Sequence, residues 1–427
     1  MKMKKIKRII SLSLCFASLL CTASCIGEAP SSDTSAVTDA ETQPDTDFAT
    51  EEETTPVTDA ETIPPKDEKS GVISVIAAGD NLAHEAVYTY AKALAQSKDG
   101  YGKEYYFDSM YDDVRDVVRS ADLAIINQES QVRTSGTPSG YPRFASPAEL
   151  GEAVMNAGFN VIVSANNHML DKGDEGLIDT ADYWYGKPVM HVGVDKSEDD
   201  GMDISVFEKD GFKTAILAYT TVINHASTAV KESKYAKYTY YSDEIAEKQI
   251  KEAERIADFV IVSMHWGDED EFDPDSSQKK IAKKLAGWGA DAIIGHHPHV
   301  VQTIEWIETE NGKTLCVYSL GNFLSTMLYA RNMVGMMVSF DIVTDDGEPY
   351  ITNVKAIPTV THYSPAPSGK GLEYRADVAV YLMENYTDDM ASAHGCNENE
   401  SKAVTLDKLK SYITDNVPQE FLPDYLK

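Results

Sequence analysis

The stretch "GADAIIGHHPHVVQ", residues 289–302, places three of the ten histidines of the chain within four positions. His296, His297 and His299 follow an apolar run and a glycine, which is the pattern of a buried strand that ends in a polar loop. Turn chemistry explains one such histidine, whereas three at one strand end favour a metal site. The ends of the other strands decide between these two interpretations.

The same pattern of an apolar run that ends in polar residues recurs along the chain. Each run has about five apolar residues, the length of a strand that is buried on both faces. Helical patterns such as "SDEIAEKQIKEAERIA" and "SSQKKIAKKLAGWG" separate most of the runs. Strands that alternate with helices of this length predict an α/β fold. The runs occupy residues 72–80, 121–130, 159–168, 213–220, 257–267, 290–299 and 314–323.

Acidic, amide or imidazole side chains follow five of these strands. In open α/β sheets ligands bind outside the carboxyl ends of the strands, so we expect these side chains to converge. Mixed oxygen and nitrogen ligands suit Mn, Zn, Fe or Mg, and the absence of cysteine argues against a structural zinc site. Two such ions about 3.5–4 Å apart can clamp a phosphoryl group, with Asp80 or Glu129 as the bridge. The residues concerned are Asp80, Asn127, Glu129, Asn166, Asn167, His168, His265, His296, His297 and His299.

Six motifs follow one another along the chain: "AAGDNL", "INQES", "SANNHMLDKG", "HWGDE", "GADAIIGHHPHVVQ" and "YSLGNF". Their order resembles that of the bacterial CapA family, whose members are associated with the synthesis or export of capsules and poly-γ-glutamate. The chain resembles this family from about residue 72 to residue 345. The resemblance implies the fold of the calcineurin-like metallophosphoesterases, a four-layer αββα sandwich with a site for two divalent ions.

The resemblance also implies roles for individual residues. His168 is expected to be the catalytic acid, next to a ligand asparagine. The sequence departs from the metallophosphoesterase pattern at Ala78, where the first aspartate of that pattern is expected. The implied metal ligands are Asp80, Glu129, Asn167, His265, His297 and His299.

Five more residues are expected to support the ligands or to contact the substrate. Asp171 orients His168 or caps the helix that follows, and Asn322 lines the pocket or makes a turn. Arg143 is a candidate for binding an anionic substrate. His84 is interpreted as a residue at the start of a helix, although it could face the site. The five residues are His296, Asp171, Arg143, Glu269 and Asn322.

The N-terminal residues have the layout of a secretory signal. A basic segment precedes an apolar stretch that is short for a transmembrane helix, and "TASC" resembles a lipobox that ends at Cys25. Residues 1–25 are therefore predicted to be a lipoprotein signal peptide, which places the mature chain outside the cytoplasm on a lipid anchor. Residues 26–70 contain thirteen acids against two lysines and few large apolar side chains, which predicts a disordered linker.

Two domains are predicted beyond the linker. Residues 71–365 form the metallophosphoesterase-like domain, and residues 366–427 form a helical extension that contains "DVAVYLMENY" and "TLDKLKSYI". Cys316 and Cys396 are too few for a disulfide framework, and a buried free thiol is expected for Cys316.

Composition and motifs leave two functional hypotheses. The formal net charge of −31 argues against a nucleic-acid partner. In the first hypothesis the chain is a surface lipoprotein in capsule or poly-γ-glutamate synthesis or export, working with a polymer synthase or export complex, or with an anionic polymer. In the alternative it is a metal-dependent phosphoesterase or amide hydrolase outside the cytoplasmic membrane. His168 favours catalysis, because a structural site has no need of an uncoordinated histidine.

Overall fold

The computed structural model describes residues 71–195, 204–224, 237–310, 312–345 and 348–427. The predicted signal peptide, the lipidation site at Cys25 and the acidic linker lie outside the described residues. None of the described helices is both long enough and apolar enough to cross a membrane.

A mixed sheet of eight strands combines strands from the N-terminal and the C-terminal parts of the described chain. Strands are numbered along the chain, and those of this sheet are β1 (Gly71–Asn81), β2 (Leu123–Gln128), β5 (Val161–Val163), β6 (Met190–Val192), β15 (Asn322–Leu324), β16 (Val334–Asp345), β17 (Glu348–Ser364) and β18 (Ala376–Leu382). Their order is β18-β17-β16-β1-β2-β5-β6, and β15 pairs with the end of β1. Strands β1, β2, β5 and β6 run parallel, so their carboxyl ends meet at one edge.

A second mixed sheet has six strands in the order β13-β14-β12-β11-β9-β8. The strands are β8 (Ser205–Lys209), β9 (Phe212–Thr220), β11 (Phe259–His265), β12 (Ala292–His296), β13 (Ile304–Thr309) and β14 (Gly312–Val317). Its four central strands are parallel, as their continuous burial indicates. Two short pairs complete the strands, β3 (Val132–Arg133) with β4 (Ser146–Pro147) and β7 (Val194–Asp195) with β10 (Lys237–Tyr238).

Helices connect most of the parallel strands. The last helix before β12 begins with a capping box formed by Asp275 and Gln278, and it ends at Gly289 with a φ of 116°. The helices are α1 (Glu85–Ser97), α2 (Arg115–Arg119), α3 (Ala148–Ala157), α4 (Gly173–Trp184), α5 (Asp243–Ile256), α6 (Ser276–Trp288), α7 (Asp388–Ala393) and α8 (Leu406–Thr414). Short 3-10 helices lie at Asp108–Tyr111, Ala330–Met333, Leu372–Tyr374, Met383–Asn385, Gly395–Asn399, Gln419–Phe421 and Asp424–Leu426.

The second sheet separates two hydrophobic cores. In β11, Phe259 and Ile261 belong to the core that is shared with the first sheet. The alternate residues Val260 and Val262 instead pack with Ile250 of α5 and the neighbouring helix α6. Helices α1, α3 and α4 contribute buried residues to the core of the first sheet. The layers thus run helix, sheet, sheet, helix, and the predicted αββα fold is confirmed.

The interpretation of "DVAVYLMENY" as a helix is wrong. Residues Ala376–Leu382 form β18, which pairs with β17 at the edge of the first sheet. Val378, Val380 and Leu382 alternate inward, so the period of this segment is two. The second segment, "TLDKLKSYI", does contain a helix, α8, which is capped by Thr405. Cys316 is free and buried, as expected, and Cys396 is also free and buried.

Residues 318–321 join the two sheets where the site lies. Asp80 of β1 donates its N–H to the carbonyl of Gly321 at 3.0 Å, and Leu320 donates to the carbonyl of Gly295 in β12 at 3.2 Å. A Cβ on Gly79 would lie 2.0 Å from the Gly321 oxygen. Glycine is therefore required for this approach, which brings the carboxyl ends of β1 and β12 together.

Candidate metal centre

Strand ends from both sheets supply the side chains of one buried cluster. Asp80 is the penultimate residue of β1, and Glu129 directly follows β2. His265 ends β11, while His297 and His299 follow β12 in the second sheet. All five side chains are buried. The convergence that the strand ends predicted is therefore observed in the fold.

Two groups of three residues in this cluster could hold a metal ion. Ligand atoms of Asp80, Glu129 and His265 lie within 4.8 Å of one another, and so do those of Glu129, His297 and His299. Glu129 belongs to both groups, which is the position of a bridging carboxylate. The donors are carboxylate oxygens and imidazole nitrogens, a mixture that suits Mn, Zn or Fe.

The carboxylate of Glu129 has no hydrogen-bond partner among the described residues, although the residue is only 1% exposed. Its Oε1 lies 3.7 Å from Nε2 of His265 and 3.7 Å from Nε2 of His299. Burial and the nearby charge of Asp80 raise the pKa of Glu129 well above its usual range. An unpartnered buried carboxylate is costly, and a cation between it and the histidines would offset that cost. The residues therefore fit a divalent ion.

Asp80 is held from several directions. Oδ1 accepts a hydrogen bond from Nδ2 of Asn127 at 2.8 Å, and Oδ2 lies 3.0 Å from Nδ1 of His299. Oδ2 also accepts the N–H of His297 at 3.3 Å. Burial alone would raise the pKa of Asp80, but the contacts with His296 and His299 outweigh it and hold that pKa well below its usual range. Asp80 is therefore ionised and held in a fixed orientation.

The histidines of the cluster differ in charge. Burial and the charge of His299 lower the pKa of His297 to about 3, and burial with the neighbouring His297 lowers that of His265 well below its usual range. Both rings are therefore neutral, the form that binds metals. Burial opposes the charge of His299 too, but Glu129 and Asp80 outweigh it and raise its pKa to about 10. In the absence of an ion, His299 supplies the positive charge of the cluster.

In the loop after β12, two histidines have a backbone conformation that residues other than glycine rarely adopt. His297 has a φ of 98° and His299 a φ of 58°, both in the left-handed region. Such conformations cost free energy and are concentrated at functional sites. Here they turn both rings towards Glu129, with their centroids 5.9 Å apart. The strained backbone thus places the ligands.

Asn167 is positioned beside the ligand group of Asp80, Glu129 and His265. Its Oδ1 lies 3.0 Å from Nε2 of His265, and its carbonyl accepts the N–H of Asn224 at 2.9 Å. The structure therefore brings all six predicted ligands into one cluster. Their role as ligands stays a prediction.

His168 and Asp171 form a separate pair at the cluster. Nδ1 of His168 lies 2.7 Å from Oδ2 of Asp171, and the same oxygen accepts the N–H of Phe144 at 2.6 Å. Helix α4 begins at Gly173, and the side chain of Asp171 makes no capping bond to it. Of the two roles proposed for Asp171, orientation of the histidine is the one observed. An ionised carboxylate accepts from Nδ1–H, which leaves Nε2 for chemistry.

The remaining predicted residues lie at different distances from the cluster. His296 is buried with Nδ1 3.3 Å from Oδ1 of Asp80, and Asn322 pairs in register with Asp80 on β15. Glu269 is exposed, but its charge raises the pKa of both His299 and Glu129. Arg143 is exposed, and no side-chain contact joins it to the cluster within the described ranges.

Two residues at the site, Asn127 and His84, were not among the predicted ligands or supporting residues. Nδ2 of Asn127 lies 2.8 Å from Asp80 and 3.5 Å from Nδ1 of His265, so this amide connects ligands from the two sheets. The position of Asn127 at the end of a strand was the one feature of the sequence that indicated a place at the site. His84 packs against Phe144 with ring centroids 5.2 Å apart, and Phe144 packs on His168 at 4.7 Å. His84 therefore faces the site as well as starting α1.

We predict that Glu129→Gln lowers metal binding more than the loss of a single terminal ligand would. The neutral amide cannot neutralise two cations, so content measured by elemental analysis should fall from about two ions per chain to about one or fewer.

The matched control is His191→Gln, which replaces a histidine on β6 whose Nε2 lies 3.0 Å from the hydroxyl of Ser164, outside both ligand groups. It should keep the full metal content. A Glu129→Gln protein with undiminished metal would contradict the prediction, as would wild-type protein that stays metal-free after reconstitution.

Comparison with known proteins agrees with the family resemblance that the sequence motifs indicated. The family model described as "Bacterial capsule synthesis protein PGA_cap" matches residues 74–327, more than half of the chain. The "PGA biosynthesis protein CapA" of Bacillus subtilis (strain 168) is 31% identical over 239 residues, which are 55% of this chain and 61% of that protein. The "Capsule biosynthesis protein CapA" of Bacillus anthracis is 31% identical over 229 residues, 53% of this chain and 54% of that protein.

The match to these curated relatives thus spans less than two thirds of their length. Among solved structures, the calcineurin-like phosphoesterase YfkN from Bacillus subtilis aligns with a TM-score of 0.39 at 14% identity, covering 68% of this chain and 90% of that one. The family model covers every residue of the two ligand groups, from Asp80 to His299. The chain belongs to the family of bacterial capsule synthesis proteins that this model describes.

Proposed function

We propose that the chain acts in the synthesis or export of an anionic capsular polymer of the poly-γ-glutamate kind. Its part in that process is a metal-dependent hydrolysis or transfer at a two-ion centre. Membership of the capsule synthesis family supports the process, and the names of the two CapA relatives support the polymer. The observation that carries the two-ion centre is the buried, unpartnered carboxylate of Glu129, shared by two groups of ligands.

When bound, a pair of divalent ions would supply a nucleophile at neutral pH and polarise a phosphoryl or carbonyl oxygen. Asp80 and Glu129 would provide the negative charge that holds the ions, and His265, His297 and His299 would complete the two ligand groups. The buried position of these residues excludes bulk water from the reacting groups, which strengthens electrostatic interactions there.

Proton donation is the role proposed for His168. Asp171 accepts from Nδ1–H, so the ring is fixed and Nε2 can carry a proton to a leaving group. His168 belongs to neither ligand group among the described residues. A histidine that is oriented by a buried acid but does not bind metal serves catalysis better than it serves a structural site. This pair therefore favours an enzyme over a passive assembly factor.

A phosphoesterase or an amide hydrolase is the form of enzyme that fits the cluster. Both reactions develop negative charge on an oxygen and need a protonated leaving group, which the ions and His168 would supply. We place this activity outside the cytoplasm, on a protein anchored by lipid at Cys25 and joined to its folded body by the acidic segment 26–70. A polymer synthase or export complex in the membrane is the partner proposed for it.

We predict that His168→Ala strongly lowers activity while metal and fold are retained. Loss of a general acid costs about 10²–10⁴-fold in rate. Turnover of generic phosphomonoesters, phosphodiesters and γ-linked glutamate by the metal-loaded protein is the measurement, together with capsular polymer in cells. Asp171→Asn should give a smaller loss with unchanged metal content, because it misorients the ring without removing it. A His168→Ala protein that supports polymer formation as well as wild type would refute the catalytic role.

Anchoring has its own test. Cys25→Ala should block lipid attachment, and the protein should then leave the membrane fraction or accumulate unprocessed, as followed by fractionation and mass spectrometry. Cys396→Ala is the control, since this buried thiol lies in the folded body and should not affect localisation. Unchanged processing and membrane retention of the Cys25 variant would disprove the anchor.

A further inference from the structure

A cavity of about 410 Å³ lies beside the metal centre. Its wall includes His84, whose ring is linked to His168 through Phe144, and Asp270. The N–H of Asp270 donates to the carbonyl of Pro298 at 2.9 Å, between His297 and His299. The cavity is thus connected to the proposed acid through His84 and Phe144 and to the loop after β12 through Asp270, and its volume is that of a small-molecule site.

Arg375 lines this cavity and is 3% exposed. Nη1 donates to the carbonyl of Thr326 at 2.6 Å, and the N–H of Thr326 in turn contacts Nδ1 of His84 at 3.3 Å. Nε and Nη2 have no hydrogen-bond partner in the described part of the chain, and no described carboxylate forms an ion pair with Arg375. The guanidinium lies 4.4 Å from the ring centroid of Tyr363.

A buried arginine without a counter-charge needs an explanation. Its guanidinium does not lose its proton in proteins, so burial without an anion is costly. Arg133 shows the usual solution, because its largely buried side chain pairs with Glu175 at 2.8 Å and Asp179 at 3.2 Å. The contact with Tyr363 offsets only part of the cost at Arg375. An anionic ligand in the cavity would supply the missing partner.

The surroundings of Arg375 select among anions. Among the described residues it is the one arginine or lysine of the cavity lining, whereas Glu85, Glu373 and Asp270 are also part of that lining, Asp270 being paired with Arg331 at 2.9 Å. The lining therefore has more negative than positive groups, so it repels a phosphate dianion more strongly than it repels a single carboxylate. Met327, Leu328, Tyr329 and Leu372 provide an apolar wall for methylene groups. A carboxylate presents two oxygens in a plane, the geometry that a guanidinium binds.

We propose that this cavity is the substrate subsite of the metal centre and that Arg375 binds the α-carboxylate of a terminal γ-glutamyl unit. The proposal rests on the function proposed above and adds the residue that recognises the polymer end. Arg375 lies beyond residue 327, where the family model ends. The C-terminal segment would therefore contribute substrate recognition to a site whose metal ligands come from the family region.

Calorimetric titration of the full, metal-loaded mature chain with synthetic γ-linked triglutamate tests the proposal. Wild type should bind, and Arg375→Met should bind about 10–100-fold more weakly because charge-assisted hydrogen bonds are lost. Arg375→Lys should fall between the two, since it keeps the charge and loses the fork. If Arg375→Met does not fold, the Arg375→Lys variant still tests the proposal. Arg133→Met, an arginine with its own acidic partners, should bind as wild type does.

A ligand-side control makes the assignment specific. Triglutamate with amidated α-carboxylates should bind wild type weakly and lose nothing further in Arg375→Met. Equal affinity of wild type and Arg375→Met for triglutamate would overturn the subsite, as would the absence of binding to wild type. Inorganic phosphate that binds in place of triglutamate, and depends on Arg375, would also overturn the glutamyl assignment. His168→Ala should keep its affinity, so failure of the catalytic role and failure of the subsite give different results.

Discussion

The carboxylate of Glu129 is buried between histidines from the second sheet and has no described group to satisfy it. A protein tolerates such a group only where something else in the functional state meets its charge. The rest of the site follows from this constraint. Asp80 and the histidines surround the carboxylate as candidate ligands, and the His168–Asp171 pair lies at the edge of the cluster, where we propose that the substrate binds. We therefore regard Glu129 as the centre of the proposed two-ion site.

The fold meets this constraint by joining two sheets at their carboxyl ends. The first sheet supplies the acids of the candidate metal site, and the second sheet supplies its histidines. Residues 318–321 hydrogen-bond to β1 on one side and β12 on the other, and the glycines at positions 79 and 295 let them approach. A larger residue at either glycine would separate the acids from the histidines. The geometry of the site thus depends on close backbone packing outside it.

The metal cluster was predictable from the sequence because each ligand stands at the end of a continuous apolar run. A change from apolar to polar residues marks a strand end, and parallel strands end at the same edge. The role of Asp171 could not be decided from the sequence, because an acidic residue near the start of a helix can either cap that helix or contact a neighbouring side chain. Only the position of Phe144 and His168 around its carboxylate shows which role it takes.

The C-terminal part was harder to predict for two physical reasons. In β18 the inward residues Val378, Val380 and Leu382 alternate with residues that are themselves partly apolar, so a helical period also fits. Pairing with β17 decides the conformation, and pairing is a long-range property. Arg375 stands in no motif, and its position beside the cluster follows from where that strand begins. The proposed substrate-binding role of Arg375 could therefore be inferred only from the structure.

Anomalous scattering from crystals of the metal-loaded protein, measured at the absorption edge of the bound metal, would locate the ions. Two peaks about 3.5–4 Å apart are expected, with the carboxylate of Glu129 between them. Asp80 and His265 should bind one of the ions, and His297 and His299 the other. A single peak that Glu129 does not contact, or two peaks that share no ligand, would contradict the proposed two-ion centre.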